Sequence, residues 1–221
     1  MTDLLVLVSG GGGLLRVIAR AMALSILPYN SLSVVSDRIC PASDWAKENN
    51  FPTEILDFDG YENRSEFNDD LFNTLESERP ALIVSTFHRI LSPEIVARFP
   101  NQMINCHPTM LPLFPGMKGL ERTLRDRSKF LGFTVHYIDE GVDTGPILGQ
   151  IVTPKTIGDT FADAARRIYR GGGLLLLQVM LDIGHTRAQR PQNGFDMFGS
   201  AYLSSIGIAH ALIDLHEQLL E

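Results

Sequence analysis

The sequence predicts an α/β fold, with a twisted, mainly parallel sheet and helices on both faces. As far as residue 107, short apolar runs alternate with amphipathic runs, and this alternation is typical of βαβ units. The first apolar run, LLVLVS at residues 4–9, is continuous, as expected of a strand covered on both faces. The arrangement is Rossmann-like, and ligands of such sheets bind outside the carboxyl ends of the strands.

Local signals predict each element of the first half. The helix at 42–50 is expected to open at Ser43 or Asp44, and the helix at 92–99 carries Pro93 in its first turn, where proline is favoured. The predicted strands are 4–9, 31–37, 52–58, 81–87 and 102–107, and the predicted helices are 14–24, 42–50, 64–78 and 92–99.

After residue 116 the pattern changes. Two apolar runs, 130–139 and 147–154, are expected to be neighbouring strands around a glycine-rich loop, and a short helix is predicted at 119–127. A long helix at 160–181 has three glycines in its middle. Because glycine weakens a helix, these positions predict either a close approach by substrate or a packed segment, or a kinked connector.

The chain is predicted to form one main domain at 1–190. The remaining residues, 191–221, form a loop and a C-terminal helix, which belongs to the same domain or makes a homodimer interface. Both alternatives follow from the apolar stripe of the predicted helix at 201–221.

Composition excludes several classes of function. The net charge of −7 argues against nucleic acid or a membrane surface as partner. The two cysteines, Cys40 and Cys106, have no metal or redox spacing, so no metal is predicted and a reducing compartment is favoured. The sequence shows no secretory signal and no apolar run of the ~20 residues that a membrane-spanning helix needs, so a cytoplasmic location is expected.

Four consecutive glycines, residues 10–13, join the first strand to the first helix. Such a junction can bind an anion through backbone N–H groups and the helix dipole. The stretch is not a P-loop, and Leu15 and Arg16 stand where a dinucleotide fingerprint needs its third glycine. Two interpretations remain open: a backbone anion site, or only a turn that requires positive φ.

Two motifs carry the chemistry. One is Asn-Cys-His-Pro-Thr at 105–109, and the other is Asp-Thr-Gly-Pro at 143–146. In order and spacing they resemble the motifs of the folate-dependent formyltransferases, over roughly residues 4–155. Length and element order are most similar to the members that formylate glycinamide ribonucleotide. The resemblance implies the formyltransferase fold, a catalytic domain at 1–190, 10-formyltetrahydrofolate as co-substrate, a small-molecule amine as acceptor, and a place in purine biosynthesis.

The catalytic residues implied are Asn105, His107 and Asp143. Asn105 and His107 are two residues apart in a strand, so they share one face, and an amide beside an imidazole suits a tetrahedral oxyanion. In the implied mechanism an amine attacks the formyl carbon, Asn105 and protonated His107 stabilise the oxyanion, and Asp143 helps remove the amine proton. A carboxylate nearby is expected to raise the pKa of His107. The resemblance gives His136 and Thr134 supporting roles, although His136 could instead be a core histidine.

The resemblance also implies the residues that bind the folate. They line a flat pterin cleft, which needs apolar walls and a few convergent backbone groups. Arg89 is expected either to pair with the folate glutamate tail or to be an ordinary surface arginine, and Leu91 and Val135 could be plain core. The folate-binding residues predicted are Phe87, His88, Arg89, Ile90, Leu91, Ile138, Asp139, Glu140 and Gly141.

The acceptor side departs from the family pattern. The predicted substrate-binding residues Gly11, Gly12 and Gly13 offer only backbone N–H groups, and Leu14 stands where the family has asparagine. Residues 170–173 contain no acidic residue where the family has a glutamate that grips the amine. The family implies a glycinamide ribonucleotide-like acceptor, whereas these departures favour a different amine, such as an amino sugar or another biosynthetic amine. The alternatives are a formyltetrahydrofolate hydrolase, which releases formate, and a non-catalytic folate-binding protein.

Overall fold

A computed structural model describes residues 3–186 of the 221-residue chain. Seven strands form one sheet in the order β3-β2-β1-β4-β5-β6-β7. The strands are β1 (Leu4–Val8), β2 (Leu32–Ser36), β3 (Thr53–Ile55), β4 (Leu82–Thr86), β5 (Met103–His107), β6 (Phe130–Tyr137) and β7 (Ile147–Pro154). The α-helices are α1 (Gly13–Ala23), α2 (Pro41–Glu48), α3 (Arg64–Glu78), α4 (Pro93–Arg98), α5 (Gly119–Arg125) and α6 (Phe161–Thr186).

The sheet is mainly parallel, which confirms the predicted fold class. Strands β1 to β5 pair in parallel, and β6 and β7 add an antiparallel pair beside β5. The chain leaves β1 toward β2 on one side and returns through β4 on the other side of β1. Strand order therefore reverses between β1 and β4, and the carboxyl ends of these strands flank the crevice where such folds bind ligands.

Each face of the sheet has its own core. Side chains alternate along β1, so Leu4, Val6 and Val8 pack with α1, α2, α5 and α6, whereas Leu5 and Leu7 pack with α3 and α4. Both faces of β1 are fully covered, as its continuous apolar run predicts.

Helix α2 begins earlier than predicted. It starts at Pro41, with Cys40 as its N-cap, rather than at Ser43 or Asp44. The Ser43 hydroxyl accepts a hydrogen bond from the Cys40 N–H at 3.0 Å, so Ser43 closes a capping box at its third position. A short 3-10 helix at Phe58–Gly60, which the sequence pattern does not signal, precedes α3.

Two of the three consecutive glycines of α6, Gly171 and Gly172, serve packing. The helix is unbroken from Phe161 to Thr186, so the kinked connector is wrong. A Cβ at Gly171 would lie 2.3 Å from Ile151 of β7, and one at Gly172 would lie 2.6 Å from the Phe133 ring of β6. The glycines therefore let α6 lie against the hairpin more closely than any side chain would allow.

Several predictions fall on the chain outside the described residues. The loop at 187–199, the helix at 201–221 and the dimer interface assigned to it all lie there. Within residues 3–186, no helix has both the length and the apolar character needed to cross a membrane.

Candidate active site

Strand β5 ends with the two predicted catalytic side chains on one face. Asn105 and His107 project to the same side as Met103, which packs in the core beneath α3 and α4. The antiparallel register of β6 sets His136 opposite Asn105 and Thr134 opposite His107. Two neighbouring strands thus deliver an amide and two imidazoles to one small area.

The loop after β6 brings Asp143 to the same point. Its carboxylate accepts from the Asn105 Nδ2 at 3.3 Å and lies 3.2 Å from the Nδ1 of His107 and 3.6 Å from the Nε2 of His136. The backbone N–H of Gly116 donates to the same carboxylate at 2.6 Å. The structure thus brings together the three residues that the resemblance implies, and His136 joins them.

The carboxyl group of Asp143 is ionised across the neutral range. Burial raises its pKa, but the hydrogen bonds from His136 and Gly116 and the charge of His107 outweigh burial and lower the pKa from 3.8 to about 2. Only 11% of the side chain is exposed, so this carboxylate is a strong local charge.

The pKa of His107 is lowered overall, although the Asp143 carboxylate acts to raise it, as predicted. Burial disfavours the charged ring, and this effect exceeds the opposing effects of the Phe114 carbonyl and the Asp143 carboxylate. The Nε2 of His107 lies 3.0 Å from the Phe114 carbonyl oxygen, while Nδ1 faces Asp143. Both neighbours are acceptors, so only a doubly protonated ring can donate to both.

His136 belongs to the site rather than to the core alone. Its Nδ1 donates to the Tyr137 carbonyl at 2.8 Å, so the Nε2 of a neutral ring accepts from the Asn105 Nδ2 at 3.3 Å, and a protonated ring presents its Nε2 proton to the Asp143 carboxylate 3.6 Å away. The ring is 2% exposed and cannot turn freely. His136 therefore orients the Asn105 amide.

Thr134 braces the chain that follows His107. Its hydroxyl donates to the Thr109 carbonyl at 2.7 Å and accepts from the Leu111 N–H at 3.1 Å. Gln150 of β7 donates to the Leu111 carbonyl at 2.7 Å and to the Thr134 hydroxyl at 3.0 Å. These bonds hold the segment that carries the Phe114 carbonyl against the His107 imidazole.

Sequence reasoning missed three contributors to the site. The Phe114 carbonyl and the Gly116 N–H are backbone groups, which leave no side-chain signature in a sequence. Gln150 could have been found, because the register of the β6–β7 pair sets it opposite Thr134.

Comparisons with known proteins agree with this geometry. The model of the formyl transferase family matches residues 2–180. The chain belongs to the formyl transferase family. It is 38% identical over 157 residues to the phosphoribosylglycinamide formyltransferase of Mycobacterium tuberculosis, which covers 71% of this chain and 73% of that protein.

Solved structures show the same fold. The glycinamide ribonucleotide transformylase 1 of Symbiobacterium toebii superposes with a TM-score of 0.80 at 29% identity, covering 86% of this chain and 92% of that one. A formyltetrahydrofolate deformylase of Pseudomonas syringae superposes with a TM-score of 0.78 at 19% identity, covering 87% and 65%. This second likeness concerns the fold alone.

The predicted pterin loop of this formyl transferase borders a cavity of about 370 Å³. Ile138, Asp139, Glu140 and Gly141 line one side, and α4 contributes Val96 to the other. The Asp139 carboxylate accepts from the Gly141 N–H at 3.1 Å and from the Thr144 hydroxyl at 2.8 Å, which fixes the loop. The lining includes none of the predicted folate-binding residues at 87–91 and none of Asn105, His107 and Asp143.

The segment predicted to line the pterin cleft follows β4, and its members differ in exposure. Phe87 packs partly buried against the α3–α4 core, and Leu91 is buried within it. The His88 N–H donates to the Ser9 hydroxyl at 2.9 Å, which ties this segment to the end of β1. Ile90 is 57% exposed. Val135, which like Leu91 could be a plain core residue, is buried in the core on the α6 side of the sheet.

Arg89 is already engaged within the chain. Its Nε donates to the Asp37 carboxylate at 2.7 Å, and its guanidinium lies 3.5 Å from the centre of the Phe58 ring. Asp37 is completely buried, and its pKa is lowered because hydrogen bonds from Arg38, Ser9 and Arg89 outweigh burial. Pairing of Arg89 with a folate tail stays a prediction.

In the glycine turn, the backbone conformation and packing require glycine at position 12, whereas Gly11 and Gly13 have free space where a side chain would lie. Gly12 caps α1 with φ of 74°, and a Cβ there would lie 2.8 Å from the Ala42 Cβ, so both conformation and α2 packing require glycine. Nothing lies within 4 Å of a Cβ at Gly11 or Gly13. No side-chain hydrogen bond caps the start of α1, as expected where the N-cap residue is a glycine.

Proposed function

We propose that this chain transfers a formyl group from 10-formyltetrahydrofolate to a small-molecule amine. The observation that carries the proposal is the convergence of three residues from a strand end and a distant loop: the Asp143 carboxylate lies within 3.3 Å of both Asn105 and His107. A protein that only bound folate would need no such arrangement of amide, imidazole and carboxylate.

The site suits a reduced folate. The cavity beside residues 138–141 is within the size range of small-molecule sites, and the loop presents backbone groups at its rim. Apolar side chains such as Val96 and Ile138 provide walls for a flat ring. When bound there, the folate supplies the formyl carbon.

The residues divide the chemistry among them. The Asn105 Nδ2 makes two hydrogen bonds of 3.3 Å, which are long, so a negatively charged formyl oxygen replaces them with a shorter bond. His107 is neutral at rest and gains proton affinity when negative charge develops beside it. Asp143 stays ionised, orients the ring and guides the amine proton to it, and His107 then returns that proton to the leaving nitrogen.

The acceptor is proposed to be an amine other than glycinamide ribonucleotide. The relatives described above are named for that ribonucleotide, so it is the first compound to test. In this chain the turn at 11–13 offers only backbone donors. The Phe133 ring occupies the space that a side chain at position 172 would need. Those relatives lend no support to an amino sugar.

The test measures tetrahydrofolate formation from 10-formyltetrahydrofolate with and without amines, for the wild type and His107→Ala. Wild type should form tetrahydrofolate in an amine-dependent way, and His107→Ala should lower kcat by about 10²–10⁴ because the group that carries the amine proton to the leaving nitrogen is lost. Circular dichroism should show that the variant is folded. Amine-independent formate release would identify a hydrolase, and folate binding without turnover would identify a binding protein; either result contradicts the proposal.

A further inference from the structure

Three consecutive residues at 114–116 contact two of the side chains proposed to be catalytic. The Phe114 carbonyl oxygen lies 3.0 Å from the Nε2 of His107, and the Gly116 N–H donates to the Asp143 carboxylate at 2.6 Å. One backbone group of the segment thus meets the imidazole, and another meets the carboxylate. Because the two groups are only two residues apart, a displacement of the segment would change both contacts together.

The backbone of this segment has a conformation that needs outside support. Phe114 has a φ of 58°. A residue with a bulky side chain rarely adopts this left-handed region, because its Cβ then crowds the following carbonyl oxygen. Contacts from other parts of the chain therefore stabilise the segment.

Arg122 of α5 makes such a contact at the residue between the two backbone groups. Its guanidinium donates a hydrogen bond to the Pro115 carbonyl and lies 5.8 Å from the centre of the Phe114 ring. The Arg122 side chain is exposed and touches neither His107 nor Asp143 through a hydrogen bond or an ion pair among the described residues. It therefore acts on the site through the segment.

Helix α5, which carries Arg122, is itself fixed at both ends. At its start, a Cβ at Gly119 would lie 3.0 Å from the Nε2 of His107, so the helix packs directly against the imidazole. At its end, the ammonium group of Lys155 donates to three carbonyls that helix geometry leaves without partners. These are the carbonyls of Thr123 at 3.0 Å, Leu124 at 3.1 Å and Asp126 at 2.9 Å. Arg122 thus extends from a rigid support.

We propose that Arg122 is a positioning residue for formyl transfer, which holds the segment 114–116 in place against His107 and Asp143. The inference rests on the proposed function. When the His107 ring takes up the amine proton, both of its N–H groups need acceptors, and the segment provides the acceptor for Nε2. This acceptor acts after the substrates have bound, so loss of Arg122 should lower kcat and leave the folate KM unchanged.

The charge of Arg122 would have the opposite effect. Burial is the main cause of the lowered pKa of His107, and the positive charge of Arg122 also lowers this pKa. Removal of the charge alone would therefore make the ring easier to protonate. Loss of the Phe114 carbonyl, which favours the charged ring, would make it harder. A fall in kcat on removal of Arg122 thus distinguishes positioning from a purely electrostatic effect.

The experiment compares Arg122→Met and Arg122→Lys with the wild type. Methionine keeps an unbranched stem without charge or donors, whereas lysine keeps the charge and a donor. Arg125→Met, which removes an exposed guanidinium from the same helix, is the matched control. One measurement is steady-state transfer from 10-formyltetrahydrofolate, with glycinamide ribonucleotide as the probe amine. The other is amide hydrogen exchange by NMR, which needs no turnover.

The exchange measurement compares two amides close to His107. The Gly116 N–H bonds to Asp143, and the N–H of the fully buried Thr109 donates to the His107 carbonyl at 2.9 Å. In Arg122→Met, exchange at Gly116 should become about tenfold faster while exchange at Thr109 does not change, and kcat should fall about tenfold. Arg122→Lys should recover part of both effects, and Arg125→Met should show neither.

The outcomes separate this inference from the proposed function. Selectively faster exchange at Gly116 in a protein that transfers no formyl group would support the positioning of the segment and reject the proposed function. The inference would be overturned by unchanged exchange at Gly116 in Arg122→Met, or by equal acceleration at Gly116 and Thr109, which indicates general loosening. An unchanged or raised kcat in Arg122→Met, in a protein that does transfer formyl groups, would overturn it as well.

Discussion

The two sides of the crevice are built differently. On the transfer side, four polar groups converge on the Asp143 carboxylate: Asn105, His107, His136 and the Gly116 N–H. On the side proposed to bind the acceptor, α1 begins with glycines and no side-chain cap, and Gly171 and Gly172 of α6 lie against the β6–β7 hairpin. The Asp143 network therefore consists of polar groups, whereas Gly12, Gly171 and Gly172 are positions where a Cβ would meet a neighbouring side chain.

The difference teaches which part of the molecule is tied to chemistry and which to recognition. Oxyanion stabilisation needs donors placed in advance, so the transfer side is held by many short-range bonds. Recognition of an acceptor needs only shape and a few groups, so its residues can change while the fold is preserved. The four predictions below test this division, beginning with the largest effect.

Removing one donor from the transfer side should have the largest effect. Asn105→Ala is expected to lower kcat by about 10²–10³, because the amide donates to the oxygen that becomes charged. Asn73→Ala, an exposed change on α3, should leave kcat unchanged. The measurement is steady-state formyl transfer at saturating folate and amine. A wild-type kcat in Asn105→Ala would contradict the proposal that the residues around Asp143 carry out the transfer step.

The acceptor side should respond to substitution through stability instead. A Cβ at Gly172 would meet three Phe133 ring atoms at 2.6 Å, so Gly172→Ala should destabilise the protein by roughly 1–3 kcal/mol. At the adjacent Gly173 the nearest atoms are 3.6 Å away, so Gly173→Ala should be neutral or stabilise by up to about 1 kcal/mol.

Urea unfolding of both variants gives the comparison. The double variant Gly172→Ala with Phe133→Leu should recover part of the lost free energy, since the smaller side chain makes room. Equal stability of the two alanine variants would show that α6 does not depend on close packing at Gly172.

The amino-acid sequence predicts the fold well and the site in part, for a physical reason. Periodicity and apolar runs are local, so the strands and helices follow from them within a few residues. The start of α2 was wrong because Ser43 is a plausible N-cap, yet it bonds back to Cys40 from the third position. The spacing of Asn105 and His107 predicts a shared face because a strand alternates sides.

What the sequence could not predict depends on distant parts of the chain. The lowered pKa of His107 follows from burial by the segment that returns through Phe114 and Gly116, and burial is a tertiary property. The need for glycine at position 172 depends on which side chain of β6 packs against it. Only the packed structure shows that this side chain is Phe133.

Acid unfolding should reveal the network around Asp143. Its pKa in the folded protein, about 2, is below the ordinary 3.8, so the carboxylate contributes stability that is present above about pH 4 and lost as pH falls toward 2. The shift corresponds to about 2 kcal/mol. When the pH is lowered from about 5 to about 2, the free energy of unfolding of the wild type should fall by about 2 kcal/mol more than that of Asp143→Asn. Parallel loss in both proteins would contradict the lowered pKa.

The smallest effect concerns the imidazole itself. NMR titration should give the wild-type His107 a pKa below its ordinary 6.5, because burial outweighs its two acceptor neighbours. Asp143→Asn should lower this pKa by about one further unit, since the carboxylate at 3.2 Å favours the charged ring. Asp44→Asn, an exposed change on α2, should not move it.

The sign of the second shift decides what Asp143 does. If the pKa of His107 falls in Asp143→Asn, the carboxylate favours proton uptake by the ring, as transfer requires when negative charge appears beside it. If the pKa of His107 rises or does not change in Asp143→Asn, Asp143 only orients the ring. The transfer side would then differ from the acceptor side in its hydrogen bonds but not in its electrostatics.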